Sequence, residues 1–359
     1  MKNFRMIIFF VFMSFTFLIL SSCTTKDVNK GKSGTNVHYS NVIAVEAKET
    51  DTKIFNVGSH KLSENLTDSN INSIEEMVYD IKKSTFIYLN KEIGSNKNKI
   101  DIITKGSTDE IKNFYNARNI KMNSTGDKIA FRTFKNNSIY SAEGMKVYDI
   151  KSKKYLDIKS KVLVSGNLYE WLDDHRIIYY GSIEGKVNSD RVYIYDFNTD
   201  REQIYLNDTK GYCIYFISVG NDLLFLSRNY NKLYLYFYNS ESKQFKLLSD
   251  GLAEIYSSVS DKKRKNVFFI GSQNENNTEL YEFKGESDTV DRITYDFPES
   301  FGTSSGIAED ESGNVYFTGM EKGSQQNNVN VFMYNADEKS INVISEYAGK
   351  YSIYKNNEM

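Results

Sequence analysis

The chain has 359 residues, with 45 Lys and Arg against 47 Asp and Glu, so its formal net charge is −2. This near balance argues against a nucleic-acid-binding protein, which normally carries a basic domain or stripe. A hydrophobic fraction of 40% and a charged fraction of 26% are typical of a folded domain and argue against global disorder. With only three His and two Cys, a zinc or iron–sulfur site is not expected. No metal site and no cofactor are predicted.

The N-terminus has the pattern of an export signal. Lys2 and Arg5 precede the mostly apolar run 6–20, which suits a signal peptide and is short for a membrane span. The Leu-Ser-Ser-Cys sequence that ends at Cys23 resembles the lipobox of bacterial lipoproteins. This resemblance implies cleavage before Cys23, diacylglycerol transfer to its thiol and anchoring on the extracytoplasmic side of the cell membrane. An uncleaved anchor and a plain secretory signal are the alternatives.

Two further features concern the mature chain. Residues 24–40 are polar and rich in Lys, Asn, Gly, Ser and Thr. We interpret them as a flexible tether with a reach of roughly 20–25 Å as a random coil. Cys213 is the one thiol left after lipidation, so disulfides are not expected, and its Tyr, Ile and Phe neighbours predict a buried structural residue.

From residue 41 onward, short apolar runs alternate with polar turn clusters. One type of run starts at residues 42, 85, 128, 176, 222, 266 and 314, so it recurs every 43–48 residues. Its near-continuous apolar character is typical of strands buried on both faces. A second, more alternating type follows each of these after a polar loop, for example 146–148 and 191–195, and a weaker outer strand ends each unit. Four strands in each repeat of 40–50 residues predict an all-β fold of the β-propeller type.

The repeat resembles a known family. The stretch 124–131, Ser-Thr-Gly-Asp-Lys-Ile-Ala-Phe, followed by Lys-Val-Tyr-Asp-Ile at 146–150, is similar to the blade repeat of TolB-like (WD40-like) β-propellers. Weaker copies stand at 173–179 and 310–317. The usual Pro before the Asp-Gly turn is absent from these copies, and no Gly-x-Ser-x-Gly sequence of an attached hydrolase domain is present. The resemblance implies a fold, and a fold does not imply an activity.

The two chain ends predict how the ring closes. Residues 351–358 resemble an innermost strand whose partner is missing, whereas 42–46, 53–57 and 60–67 would form the other three strands of that blade. We therefore predict seven four-stranded blades closed by pairing of the N- and C-terminal strands, with six blades and an added N-terminal strand as the alternative. The predicted domains are a lipoprotein signal peptide at 1–22, a lipidated tether at 23–40 and the β-propeller at 41–359.

Catalytic signatures are missing from the sequence. It contains no His-Glu-x-x-His, P-loop or Gly-x-Gly-x-x-Gly pattern, so no catalytic residue is predicted and the chain is interpreted as more consistent with a non-enzyme. The cluster Asp173, Asp174 and His175 falls at the repeat's turn position, where a solvated turn is favoured over a metal site. The acidic run 309–311 is interpreted as a loop rather than a calcium site, because its spacing matches no EF-hand.

Candidate ligand-binding residues come from the innermost strands, which line a propeller's central channel. Trp171 is the only tryptophan and lies in such a strand. Together with Tyr169, Tyr215 and Tyr256, it would present rings to a ligand, although the turn end of an inner strand also packs between blades. The loops between the second and third strands of the blades are uneven, and 135–144, 182–190, 273–278 and 319–328 are long and polar. Because insertions in repeat folds gather on the binding face, we expect binding on this face, with Trp171 and the tyrosines beneath it.

Three functions are compared. The preferred one is a non-enzymatic, membrane-anchored envelope lipoprotein, monomeric, whose propeller binds a protein, peptide or glycan partner. The alternative is a propeller-type lyase or glycan hydrolase with carboxylates gathered from different blades over the channel. A solute-binding subunit of a transporter is disfavoured, because such proteins alternate strands and helices and no helical periodicity is present here.

Overall fold

The computed structural model describes residues 38–48, 52–65, 73–92, 94–105, 107–261, 265–273, 278–323 and 328–357. The predicted signal peptide, Cys23 and the tether up to residue 37 lie outside this part of the chain. Among the described residues, no helix is long and apolar enough to cross a membrane.

Seven antiparallel sheets, which we call blades 1 to 7, account for nearly all of the secondary structure that the model describes. The strands are, for blade 1, β1 Val42–Ala47, β2 Thr52–Val57 and β3 Leu62–Glu64; for blade 2, β4 Ile74–Asp80, β5 Thr85–Lys91, β6 Asn98–Thr104 and β7 Ser107–Ile111; for blade 3, β8 Asn116–Met122, β9 Lys128–Phe134, β10 Ala142–Asp149 and β11 Lys154–Leu156; and for blade 4, β12 Val162–Trp171, β13 Arg176–Ile183, β14 Arg191–Asp196 and β15 Arg201–Leu206. Those that follow are, for blade 5, β16 Tyr212–Val219, β17 Asp222–Asn229, β18 Lys232–Asn239 and β19 Gln244–Ser249; for blade 6, β20 Glu254–Asp261, β21 Asn266–Ser272, β22 Thr278–Lys284 and β23 Thr289–Arg292; for blade 7, β24 Ser300–Phe301, β25 Ile307–Glu309, β26 Val315–Met320, β27 Asn330–Asn335 and β28 Ser340–Val343; and, at the end of the chain, β29 Tyr351–Lys355. A short 3₁₀ turn, Ile139–Ser141, lies between β9 and β10.

The ring closes as the sequence predicts. Strand β29 pairs antiparallel with β1, so that Ile353 lies opposite Ala44 and Tyr354 opposite Ile43. Blade 1 therefore has the order β29-β1-β2-β3, with its innermost strand from the C-terminal end and the other three from the N-terminal side. The prediction of seven blades is confirmed, and the six-blade alternative is wrong.

The hydrophobic core is divided among the junctions between blades. Each of the seven apolar clusters combines side chains of two neighbouring blades, and the seven clusters together cover every junction of the ring. This explains the near-continuous apolar runs, because the second strand of a blade packs on a neighbour at both faces. Cys213 is buried in the junction of blades 4 and 5, and burial raises the pKa of its thiol to about 12, as expected for a structural residue.

The described chain is already packed before β1 begins. Tyr39 is buried in the junction of blades 1 and 2, where its ring meets Tyr79 and Phe86 edge-on. Its hydroxyl lies 2.9 Å from the Tyr88 hydroxyl. The chain therefore enters the blade-1 sheet from this junction.

Candidate functional site

The innermost strands carry polar side chains that contact one another from blade to blade. Lys121 on β8 pairs with Glu170 on β12, with 2.9 Å between Nζ and Oε2. The Tyr215 hydroxyl on β16 lies 2.7 Å from the Ser258 hydroxyl on β20. Because such strands surround the axis of a propeller, these pairs form a polar wall to the central channel.

The predicted aromatic residues occupy this wall, but their polar atoms bind the neighbouring blade. Tyr169 is fully buried, and its hydroxyl donates to the Asn119 carbonyl of β8. Trp171 is also buried, and its Nε1–H donates to the Lys121 carbonyl at 3.0 Å. Both residues therefore connect blade 4 to blade 3, which is the packing alternative considered for inner-strand aromatics.

The other two predicted residues lie elsewhere. Tyr215 reaches blade 6 through Ser258, whereas the Tyr256 hydroxyl lies 3.5 Å from Ser272 within its own blade. The four rings are thus spread over the junctions of blades 3 to 7 and form no common platform. A role of these residues in ligand binding stays a prediction.

A cavity of about 620 Å³ opens at one mouth of the channel. Its lining includes Trp171, Glu170, Asp261, Glu309 and Lys355, which lie at the C-terminal ends of innermost strands. Lys355 Nζ is 4.0 Å from Glu309 Oε2. Burial lowers the pKa of the Lys355 ammonium, and the nearby carboxylates of Glu309 and Asp261 oppose this effect. The mouth is a polar cavity with charged groups of both signs.

The position of Trp171 corrects the sequence-based expectation. In the pairing of β12 with β13, Trp171 lies opposite Ile177, whereas Val162 lies opposite Ile183, where the loop to β14 begins. Trp171 is therefore at the opposite end of blade 4 from the second–third loop. The expectation that it lies beneath those loops is wrong, because an innermost strand runs antiparallel to the strand that carries the loop.

The Asp173-Asp174-His175 cluster forms a turn. Asp173 Oδ1 accepts the backbone N–H of His175 and of Arg176, at 3.0 and 2.7 Å, and Oδ2 accepts Arg176 Nε at 2.6 Å. His175 Nδ1 lies 2.6 Å from Asp174 Oδ1, and this contact raises the pKa of the imidazole. Both Asp173 oxygens are thus engaged by donors of the chain itself, which favours the turn interpretation over a metal site.

The same device recurs at the other copies of the repeat. Asn123 Oδ1 accepts the backbone N–H of Asp127 and Lys128 after β8, and Asp310 Oδ1 accepts those of Ser312 and Asn314 after β25. Asp310 Oδ2 also accepts the Tyr316 hydroxyl at 2.8 Å. The Asp or Asn at this repeat position therefore stabilises the turn from the first to the second strand, and its role is structural.

The opposite face of the ring presents exposed apolar side chains. Among the described residues, the large apolar side chains that are exposed lie either on outermost strands or on the face formed by the second–third loops and the connections between blades. On that face they are Ile139, Tyr140, Leu163, Val187, Tyr212, Tyr230, Tyr295, Phe297 and Tyr347. The sequence analysis selected loops by their length, so it included 135–144, which carries Tyr140, but not the short loop that carries Tyr230.

Three of these side chains form what we call the three-loop surface: Tyr140, Val187 and Tyr230, which are 94%, 85% and 93% exposed. They come from the second–third loops of blades 3, 4 and 5, so they lie on consecutive blades. Isolated exposed apolar residues are normal on a folded protein, and here three of them lie on the same face of consecutive blades.

The loops that carry these side chains are held by hydrogen bonds. In blade 3, the Ser138 hydroxyl accepts the Tyr140 N–H and the Ser138 carbonyl accepts the Ser141 N–H at 3.0 Å. In blade 4, Ser189 Oγ accepts the Ile183 N–H at 2.9 Å and donates to the Lys186 carbonyl at 2.7 Å. The exposed side chains therefore stand on ordered backbone, so little loop entropy would be lost on binding.

No protein-family model and no curated protein matches the chain. Several solved structures are similar to it in fold. The β-propeller domain of the Trilobed protease from Pyrococcus furiosus is 14% identical, with 86% of this chain and 96% of that chain covered and a TM-score of 0.58. An uncharacterised protein from Listeria monocytogenes is 13% identical over 86% and 96% of the two chains, with a TM-score of 0.53.

TolB from Acinetobacter baumannii is also similar, at 11% identity, with 88% of this chain and 83% of that chain covered and a TM-score of 0.47. At these identities the likeness concerns the fold. The Trilobed protease propeller has an open velcro topology, whereas here β29 pairs with β1 and closes the ring. The chain is a seven-bladed β-propeller whose structural neighbours include TolB and other propeller proteins.

Proposed function

We propose that this chain is a bacterial envelope lipoprotein, anchored through Cys23, whose propeller binds a protein partner on the three-loop surface without catalysing a reaction. The observation that carries the proposal is the exposure of Tyr140, Val187 and Tyr230 on consecutive blades. Tyr is enriched at the centres of protein interfaces because its ring buries a large area at low entropic cost. A protein is favoured over a glycan because Val187, Ile139 and Leu163 add aliphatic surface to the tyrosines.

The backbone conformation of Tyr230 places its ring outside the hairpin loop of blade 5. Tyr230 is the first residue of a two-residue loop, since Asn229 pairs with Lys232, and its φ is +53°. Hairpin loops favour Gly or Asn at such a position, and a bulky residue there is strained by about 1 kcal/mol or more. The side chain makes almost no compensating contact because it is exposed. The exposed ring is therefore available for contact with a partner.

The enzymatic alternative would use the cavity at the other mouth. Glu170, Asp261 and Glu309 come from three different blades and line this cavity, as a lyase or glycan hydrolase would require. Glu170, however, is paired with Lys121 at 2.9 Å, and Glu309 lies near Lys355. We therefore favour binding. The variant Glu170→Gln separates the two functions, because it changes the cavity and should leave partner capture on the three-loop surface unchanged.

The binding proposal is tested with the full chain immobilised from a detergent extract and incubated with envelope fractions of its own cells. The triple variant Tyr140→Ser, Val187→Ser, Tyr230→Asn should lower capture of the partner at least about tenfold, which corresponds to about 1.4 kcal/mol. The control is Tyr155→Ser with Leu247→Ser, which removes exposed apolar side chains from the outermost strands β11 and β19. Equal capture by the triple variant and the control would contradict the proposal. If the triple variant loses binding of a purified glycan and not of a protein, the partner is a glycan.

The anchor is tested separately. If Cys23 is the acyl acceptor, metabolic labelling with a clickable palmitate should tag the chain in a bacterial host, and Cys23→Ala should abolish the tag because the thiol is the attachment atom. Cys213→Ala is the matched control, since that thiol is buried in a blade junction. A tag that survives Cys23→Ala would contradict lipidation at this site.

A further inference from the structure

Two arginines of blade 3 lie side by side, close to the three-loop surface. Arg118 on β8 is directly opposite Arg132 on β9, and β9 ends two residues later at Phe134, where the loop that carries Tyr140 begins. Both guanidinium groups lie over the Phe134 ring, with 5.7 and 5.1 Å between their Cζ atoms and the ring centroid. The shared ring therefore holds two like charges on one face of the blade.

The two arginines have no acidic partner within the part of the chain that the structure describes. There, neither guanidinium forms an ion pair or donates a side-chain hydrogen bond, although each carries five N–H donors. Arg118 is exposed and Arg132 is half-buried. Like charges on directly opposite residues repel each other, so an anion that bridges the two groups would reduce this repulsion.

Five more cationic side chains lie at the same end of blades 3, 4 and 5. They are in the second–third loops or next to them, and we call all seven the basic set: Arg118, Arg132, Lys135, Lys186, Arg191, Arg228 and Lys232. Among the described residues, none of the seven forms an ion pair. By contrast, Lys121 on the same strand as Arg118 is paired with Glu170.

Carboxylates are fewer at this end of the three blades. Those in the same loops or next to them are Glu143, Glu184 and Asp190. The whole chain has a formal net charge of −2, so the excess of positive charge beside the loops is local. The cavity at the opposite mouth has the reverse balance, with five carboxylates and one lysine in its lining. The face with the three-loop surface therefore complements an acidic partner.

We propose that the protein bound by the three-loop surface presents an acidic segment, whose carboxylates bind the basic set with Arg118 and Arg132 as the main anchor. This inference rests on the proposed function and names the chemistry of the partner. A guanidinium binds a carboxylate through two parallel hydrogen bonds, and stacking on an aromatic ring positions it for this contact. Arg and Tyr are also enriched at the residues that dominate interface energies. The exposed apolar side chains Tyr140, Val187 and Tyr230 favour a protein over a nucleic acid or a polyphosphate.

A fluorescein-labelled octaglutamate peptide tests the charge of this surface without the partner, by fluorescence anisotropy with the full chain in about 50 mM NaCl. The arginine double variant, Arg118→Gln with Arg132→Gln, should weaken its binding at least about fivefold, because both guanidinium groups are lost. The charge-matched control is Lys151→Gln with Lys243→Gln, which removes two exposed lysines from third–fourth turns on the opposite face. Failure of the peptide to bind, or equal binding by the two double variants, would overturn the proposal.

The capture assay then tests the partner itself. Raising NaCl from about 50 to about 500 mM should lower capture by the full chain, because exposed charges are screened, and the arginine double variant should lose most of this salt dependence. If the double variant does not fold, Lys135→Gln with Arg228→Gln takes its place, since both side chains are exposed.

The outcomes separate this inference from the proposed function. Capture that changes neither with salt nor in the arginine double variant, but is lost in the triple variant of the three-loop surface, would overturn the acidic partner and leave the proposed function standing. Loss of capture in the arginine double variant alone would support an acidic partner and contradict binding through the exposed apolar side chains. A captured component that contains phosphate and no protein would overturn the proposal.

Discussion

Tyr230 combines an exposed ring with a backbone conformation that is strained for a bulky residue. Its positive φ and its 93% exposure mean that the folded monomer gains little from the ring and bears the backbone strain. Asn tolerates the left-handed region at low cost and avoids the additional chain entropy of Gly. The same backbone region is occupied by Lys243, which is exposed on the opposite face in the turn from β18 to β19.

We predict that Tyr230→Asn leaves the melting temperature unchanged or raises it by about 2–4 °C, because it relieves strain of about 1 kcal/mol. The same substitution should weaken partner capture. Lys243→Asn should have a similar effect on the melting temperature and none on capture, since it lies away from the three-loop surface. Thermal unfolding and the capture assay measure the two effects, and a clear loss of stability in Tyr230→Asn would show that the ring packs in the monomer.

Strand β29 closes the ring by pairing with β1. Tyr351 and Ile353 are buried in the junction of blades 7 and 1, and all five residues of the strand pair with β1. Without β29, the inner edge of β1 would be unpaired and the apolar cluster at this junction would be open to water. The residue after the strand adds a further contact, because the Asn356 side chain accepts the Ile81 N–H of blade 2 at 3.0 Å.

Deletion of residues 351–359 should therefore lower the free energy of unfolding by several kcal/mol, by area arithmetic at about 25 cal/mol per Å², which is a large part of a typical 5–15 kcal/mol. Ile353→Val is the matched control, which should cost only about 0.5–1.5 kcal/mol because the strand and its pairing remain. Denaturant unfolding measures both. A truncated chain as stable as Ile353→Val would contradict closure of the ring by β29.

At the scale of the whole molecule, the two faces of the ring differ in chemistry. One mouth of the channel is a polar cavity with charged groups from several blades, and the opposite face carries the exposed tyrosines. The difference follows from the up-and-down path of the strands, because first–second loops and second–third loops always emerge on opposite sides. The first–second turns of blades 2, 3, 4 and 7 are closed by an Asp or Asn side chain, whereas the second–third loops vary in length and composition.

The sequence by itself determined the number of blades, the order of strands and the closure of the ring. A strand that packs on neighbours at both faces must be apolar along its length, so the runs at 85–89 or 266–269 are visible without coordinates. The terminal segments 351–355 and 42–64 each lack strands of a full blade, so together they form blade 1. Local patterning carries this information because it reflects burial within a repeating unit.

Only the tertiary structure decided which side chains meet and which face they occupy. Trp171 was expected beneath the second–third loops, but its indole binds the Lys121 carbonyl of the preceding blade at the other mouth. The contacts of Glu76 on β4 gave no sequence signal, because its two carboxylate oxygens accept the backbone N–H groups of Asn119 and Ile120 in the next blade, more than 40 positions away. Contacts of this kind depend on strand register and on the junction of two blades, which no local pattern encodes.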